Sequence, residues 1–303
     1  MMKALFIIFV FFSFSKNLHA FQTARQLSFA GSGALNPYGV DALNLNPATL
    51  NLRADIIFGG GYSFGDVSSE QDVTSYYGWL KDSSSSAFGT KENKKMQKSL
   101  EGLSGFPVAA AFLFNSLKVE DSSQEILEYK SYNVGLSKLL GKRASFGLTL
   151  SYFDGVNGPS FKESFLTADV GALYWISRNL KVGVSALDLL NTADGVLTEE
   201  LNPQKARLSL AYSANIIDLY ADLERTFSGE FEGDTDMGLG LETFFKEFLS
   251  VRFGVFKRES LNDLDFGAGL SFTGPKLEIH YGFRSNSSTD TFLNSIDFSV
   301  PLW

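Results

Sequence analysis

The chain has no cysteine, which excludes disulfides, thiolate metal sites and a lipid anchor carried on a cysteine. It has two histidines, and His19 falls within the first twenty residues, so only His280 is left for histidine chemistry. One ring cannot build a histidine metal cluster. Basic charge is also short: 26 Lys and Arg stand against 34 Asp and Glu, with no Lys/Arg stripe. A formal charge of −8 argues against nucleic acid, whose phosphates need a basic footprint. Beyond residue 20 no stretch reaches 18 consecutive apolar residues, so helical membrane spans are excluded.

What is present is aromatic and small. The 303 residues include 29 Phe and 28 Gly, 44% are hydrophobic, and the mean hydropathy is +0.00. That apolar content excludes a disordered polar chain. Residues 1–20 place Lys3 before an apolar run and end in Leu18-His19-Ala20, the order of a secretory signal peptide. The expectation is cleavage after Ala20, which leaves an exported soluble β protein or a transmembrane barrel.

From Ala54 onward the sequence alternates with period two, as strands with two different faces do. Leu277, Ile279, Tyr281 and Phe283 share one face, and Glu278, His280, Gly282 and Arg284 the other. Fourteen such strands are predicted, centred near Phe58, Tyr77, Ala111, Val134, Leu148, Val170, Val184, Leu210, Leu219, Leu239, Phe253, Ala268, Ile279 and Phe298. The seven prolines avoid strand interiors. Tight links such as 141–143, 177–179 and 273–276 alternate with longer polar ones at 115–126, 154–163, 191–203, 226–234 and 285–291. That long-short alternation predicts an all-β, fourteen-stranded antiparallel transmembrane barrel over residues 54–303, with the tight turns and both chain ends in the periplasm. The 81–105 link breaks the rule. It reads as a periplasmic insertion that either packs over the barrel mouth or docks a partner or anionic head groups.

On the inward face the register places glycines from Gly59 and Gly61 through Gly147, Gly171 and Gly254 to Gly282. Room for a plug and barrel curvature both explain them. Candidate lumen-lining residues are Asp218, Asp222, Arg252, Asp265, Glu278, His280 and Arg284, with Asp169, Asp236, Glu242, Asp297 and Arg207 beside them. Such acids either bias a water-filled pore toward cations or bond to arginines and the plug, the second being favoured because a barrel interior must satisfy its polar groups. A serine hydrolase would have to pair His280 with Ser271, and no third activating group is evident. No catalytic residue, cofactor or metal is expected.

Residues 21–53 do not alternate. They carry Ala24-Arg25, the small-residue run Ala30-Gly31-Ser32-Gly33-Ala34, and Leu45-Asn46-Pro47-Ala48-Thr49-Leu50 just before the first strand. In these features the chain resembles the FadL-like superfamily of outer-membrane barrels, which includes fatty-acid and aromatic-hydrocarbon channels and PorV-type proteins of secretion systems. The resemblance implies an N-terminal hatch over residues 21–53 plugging the barrel, with Gly31, Gly33, Asn46, Pro47 and Ala48 as its plug and gating positions. It implies the outer membrane of a Gram-negative bacterium, and passage of small hydrophobic or amphipathic molecules. The PorV-type alternative is a scaffold that transports nothing and docks secreted or envelope proteins. FadL-type channels capture ligands on large extracellular loops, whereas the loops predicted here are short and polar. The ending Phe298 to Trp303 resembles the signal read by the barrel-assembly machinery, with Pro301 interrupting it.

Overall fold

The computed structural model describes residues 22–35, 40–53, 55–68, 71–83, 108–121, 126–157, 161–190, 192, 203–228, 232–245, 248–259, 263–287 and 291–302. The expected signal peptide, most of the 81–105 insertion and Trp303 lie outside the described residues.

Fourteen strands form one closed antiparallel barrel, each pairing with its chain neighbours, and the first pairs with the last. They are β1 Ile56–Ser68, β2 Gln71–Asp82, β3 Val108–Asp121, β4 Ile126–Leu140, β5 Ala144–Asn157, β6 Phe161–Trp175 and β7 Leu180–Leu187, then β8 Lys205–Ser213, β9 Ile217–Thr226, β10 Thr235–Phe245, β11 Leu249–Arg258, β12 Asp263–Thr273, β13 Glu278–Asn286 and β14 Phe292–Pro301. Closure pairs each strand with a neighbour on both sides, as a bilayer demands, although β6 meets β7 only from Val170 to Trp175. The seam runs from Ile57 opposite Pro301 to Asp66 opposite Phe292. Pro301 ends the last strand, and Leu302 adds one further bond to the Ile56 carbonyl at 2.8 Å.

Alternation is strict because the two faces meet different surroundings. Outward residues include Phe146, Leu148, Leu150 and Phe298, each exposed by a third or more, whereas their neighbours point into a filled lumen. A closed surface this apolar belongs in lipid rather than water. On one side its upper edge is an aromatic row across four strands: Tyr76, Phe114, Tyr132 and Tyr152, with successive ring centroids 6.1, 5.3 and 6.2 Å apart. From Tyr132 to Leu140 is eight residues, about 20 Å of height for a strand tilted as barrel strands are, close to the ~25 Å apolar band of such barrels.

One expectation needs correcting. The links at 115–126 and 154–163 are not long loops: β3 and β4 extend to Asp121 and from Ile126, and β5 and β6 to Asn157 and from Phe161. Strands β1 to β6 are 12 to 15 residues long, and β7 to β14 only 8 to 11. The extensions stand above the aromatic row, where the outward face meets water instead of lipid. Outward Lys118 pairs there with Glu120, and outward Lys130 with Glu128 at 3.0 Å. Without a lipid-facing side the apolar alternation vanishes, and the segments look like loops.

The barrel is therefore a cup with one raised wall. The end bearing the tight turns, Asp55 and Leu302 is called the near end below, and the raised end the far end.

Candidate functional site

The lumen is occupied by the chain's own N-terminal segment. Residues 22–35 and 40–53 contain two short helices, α1 Ala24–Ser28 and α2 Ala42–Leu45, and a 3-10 turn over Pro47–Asn51, nearly all buried. Thr23 caps α1 in a capping box with Gln26, so even this five-residue helix has its first amides satisfied. Among the described residues, two apolar cores sit between hatch and wall. In one, Val40, Leu43 and Leu50 pack on Tyr77, Trp79 and Leu113; in the other, Phe29, Leu35 and Ala48 pack on Leu173, Ala211 and Tyr220. The first explains why β2 alternates poorly in sequence: both of its faces are apolar, one toward lipid and one toward the hatch.

The inward glycines form the seat. A β-carbon on Gly147 or Gly254 would overlap the hatch backbone at Pro47 or Phe29. On Gly183 it would lie 2.5 Å from Leu35 Cδ2, on Gly238 2.7 Å from Ser32 Cβ, and on Gly267 2.6 Å from the Ala30 nitrogen. Gly135, Gly171, Gly240, Gly269 and Gly282 meet hatch atoms in the same way. Of the two explanations left open by the sequence, hatch accommodation holds for these ten. Gly59 and Gly61 instead lie under the rings of Trp79 and Tyr77, their cross-strand partners.

The Asn-Pro-Ala motif lies in this band. Asn46 Oδ1 accepts from the Ala48 amide at 3.1 Å, and its Nδ2 donates to the Ala172 and Val184 carbonyls at 3.4 Å. Its side chain fills the gap over Gly171 and Gly183. Ser145 donates to the Ala48 carbonyl at 2.8 Å. Gly31 and Gly33 take positive φ, 98° and 85°, and the Gly33 amide donates to Asp222 at 2.5 Å.

The other predicted lumen residues join hatch to wall or wall to wall. Hatch residue Arg25 bonds Glu242 at 2.9 Å, and Glu242 also takes Arg252 at 3.0 Å and Ser250 at 2.8 Å. Arg252 reaches His280 Nδ1 at 3.3 Å, and Ser271 hydrogen-bonds the same nitrogen. Since Arg252 can only donate, Nδ1 accepts and the ring proton sits on Nε2, 4.0 Å from Glu278. Ser271 is thus brought to His280, but it is only 1% exposed, sealed between hatch and wall. Arg284 bonds Gln22 at 2.9 Å and Asp265 at 2.5 Å. Arg53 bonds Glu278 at 2.9 Å. Asp297 accepts from the Ala24 amide at 2.9 Å, at the start of α1. Asp218 accepts from Tyr220 at 3.3 Å, Asp236 from the Glu259 amide at 3.0 Å and Asp169 from the Asp188 amide at 2.7 Å.

One hatch carboxylate titrates near neutrality. Burial pushes Asp41 up from 3.8 to about 6, against the opposing pull of the Thr23 hydroxyl at 2.5 Å and of Arg25 and Arg252. The seated hatch therefore binds this proton more tightly than a released one. Seating is strongest below pH ~4, weakens as pH rises to about 6, and is flat above that. Protease protection of residues 22–53 is expected to be greater near pH 5 than near pH 7.5, and Asp41→Asn should flatten the profile; an unchanged profile in that variant would assign the dependence elsewhere.

Cavities flank the hatch toward both ends of the barrel. Toward the near end a small one of about 20 Å³ lies among Thr23, Asp41, His280 and Asp297. Toward the far end a larger one of about 220 Å³ has hatch residues Gln22, Gln26, Gly31 and Asn44 on one side and the raised wall on another. Its wall on β3 to β6 carries Leu117, Tyr129, Phe153 and Phe165, the last two stacked at 4.8 Å and 13°, above polar Asn115, Ser131, Asn133, Ser151, Thr167 and Asp169. Tyr129 lies over Gly155, its cross-strand partner. Opposite stand Lys205, Arg207 and Glu224, with Lys205 2.9 Å from Glu224 and Arg207 forked onto it, and Arg284 and Asp188 nearby. Burial raises Asp188, just beyond β7, to about 6.

The three aromatics were not among the predicted site residues. Their sequence signal is a break in alternation, inward Phe153 beside outward Tyr152 and inward Phe165 beside outward Leu166. These aromatics belong to the inward faces of the prolonged strands.

No protein-family model and no curated protein matches the chain. Solved structures do. CymD, described as a monoaromatic hydrocarbon channel, superposes with a TM-score of 0.67 at 10% identity, over 92% of this chain and 97% of that one. A FadL homologue of Pseudomonas aeruginosa gives 0.64 at 10% identity, over 93% and 98%. The toluene transporter TodX of Pseudomonas putida gives 0.59 at 11%, over 92% and 97%. With fourteen closed strands, a lipid-facing belt and an N-terminal segment seated in the lumen, the chain has the fold of the FadL-like outer-membrane barrels.

Proposed function

We propose that this barrel admits small amphipathic molecules, aromatic ones among them, through the outer membrane. They enter from outside, rest in the far-end cavity, and pass on when the hatch leaves its seat. The near end then faces the periplasm. The observation that carries the reading is the cavity of about 220 Å³ between raised wall and hatch, aromatic on one side and ionic on the other. An apolar pocket with a few convergent polar groups is the usual form of a small-molecule site. Neighbours described as hydrocarbon channels support the class of cargo, while Lys205, Arg207 and Glu224 favour a molecule with a polar group over a bare hydrocarbon. The hatch positions Gly31, Gly33, Asn46, Pro47 and Ala48 would act as its seating points, and their release as the opening step. The docking reading rests on the short loops and on the 81–105 segment, most of which lies outside the described residues.

The test is a titration of the purified barrel with a small phenol such as 4-ethylphenol. Phe165→Ala should weaken binding ~2- to 10-fold, the worth of one aromatic contact. Heat-dependent gel mobility reports whether that variant still closes its barrel. Unchanged affinity in a folded variant would remove the cavity from the account.

A further inference from the structure

A second surface lies at the other end of the barrel, on the outside. β4 presents Leu136, Lys138 and Leu140 outward, with Lys138 opposite Phe146 of β5 and Val108 of β3. Leu136, Leu140 and Phe146 are each about half exposed, so Lys138 sits within the lipid-facing belt, one pleat above its lower edge. A lysine on the lipid face is costly at mid-bilayer and tolerable near the interface, where its ammonium reaches the head groups along its apolar stem. Three more cations lie just below it: Lys142 and Arg143 in the β4–β5 turn and Arg178 in the β6–β7 turn, all exposed. The two turns are neighbours, because the Trp175 amide donates to the Arg143 carbonyl at 2.8 Å. None of the four cations has an ion pair among the described residues, and the described acids of β4 to β7 fall in mid-barrel or at the far end: Glu128, Asp154, Glu163, Asp169 and Asp188. A chain of net charge −8 has thus left one arc of its near-end rim purely basic.

We propose that this arc, with Lys138 as its lipid-embedded member, binds the phosphate head group of an anionic phospholipid in the periplasmic leaflet. The proposal rests on the membrane orientation given above but not on the cavity or its cargo. Charge complementarity selects the occupant: zwitterionic lipids carry no net charge to attract, whereas a phosphatidylglycerol head group is held by the four cations while its acyl chains lie along Leu136, Leu140 and Phe146.

The experiment exposes the full-length barrel, in mixed micelles, to equal amounts of phosphatidylglycerol and phosphatidylcholine and counts retained lipid by native mass spectrometry. Phosphatidylglycerol should be retained in preference. Replacing Lys138, Lys142, Arg143 and Arg178 with Gln together should lower that preference at least ~10-fold, since each cation near a charged surface contributes about a factor of five. Lys118→Gln with Lys130→Gln, at the far end, should leave it unchanged. If the fourfold variant does not close its barrel, a salt titration of the unmodified protein decides, because the preference must fall as the charges are screened. Equal retention of the two lipids, a preference that survives the fourfold change or high salt, or complete competition by glycerol phosphate alone would overturn the proposal. An unfilled cavity in the phenol titration would leave it standing.

Discussion

Gly254→Val is expected to unseat the hatch while leaving the barrel closed. Even the first carbon of the new side chain would overlap the backbone of Phe29, and neither partner can yield easily: one is a rung of the β11 ladder, the other ends the α1 turn. Ordinary overpacking costs about 1–3 kcal/mol, and collision with backbone rather than a flexible side chain belongs at the upper end or beyond. The expected result is rapid proteolysis within residues 22–35, raised entry of hydrophobic probes, and a retained heat-dependent mobility shift. Gly147→Val should do the same to the segment around Pro47. Gly78→Ala is the comparison: its β-carbon would meet only the Gly59 carbonyl oxygen at 3.7 Å, an ordinary contact, so the hatch should stay protected. If Gly254→Val leaves proteolysis and uptake at the unmodified level, the glycine band is not the seat.

Glu242→Gln is expected to have the second large effect. Glu242 is fully buried between Arg25 of the hatch and Arg252 of the wall, so it holds two like charges together where neither meets water. Removing one member of a buried ionic cluster costs about 3–5 kcal/mol, chiefly because the remaining charge is left uncompensated. The hatch can relieve that cost by withdrawing Arg25, so the loss should appear as released hatch rather than unfolded barrel. Arg25→Met combined with Glu242→Gln should recover part of it, since a single arginine then remains, with His280 beside it. The check is protease protection of residues 22–53 with barrel mobility measured in parallel. A double variant no better protected than Glu242→Gln would mean that the two residues act independently.

Lipid and water dictated how much of this was legible in the sequence. Wherever a strand separates bilayer from lumen, its alternation is strong, and all fourteen strands, their antiparallel order and the inward direction of the glycines follow from it. Above the membrane that contrast disappears. The stretches 115–126 and 154–163 therefore read as loops, and the raised wall with its inward Tyr129, Phe153 and Phe165 leaves no period-two signal there. The β2 strand was hard to read for the opposite reason, since Tyr77 and Trp79 face an apolar hatch rather than a polar lumen. The Asn46-Pro47-Ala48 motif was visible as a turn, but nothing local shows that Asn46 fills the space left by Gly171 and Gly183, residues more than a hundred positions away. The loop-closing cost of that seating is met by the barrel, which fixes both sides of the gap.

The account's central claim is that passage requires the hatch to leave its seat, and the absence of native cysteine allows a direct test. Ser32 Oγ lies 3.0 Å from where a β-carbon at Gly240 would stand, a separation suited to a disulfide between Ser32→Cys and Gly240→Cys, for which the Phe29 ring, 2.9 Å away, must shift by a few tenths of an ångström while the hatch backbone stays clear. In proteoliposomes carrying this variant, oxidation should abolish entry of a small aromatic probe and a reductant should restore it. Equal entry in the oxidised and reduced states, with the cross-link verified, would contradict the claim and require a path that bypasses the hatch.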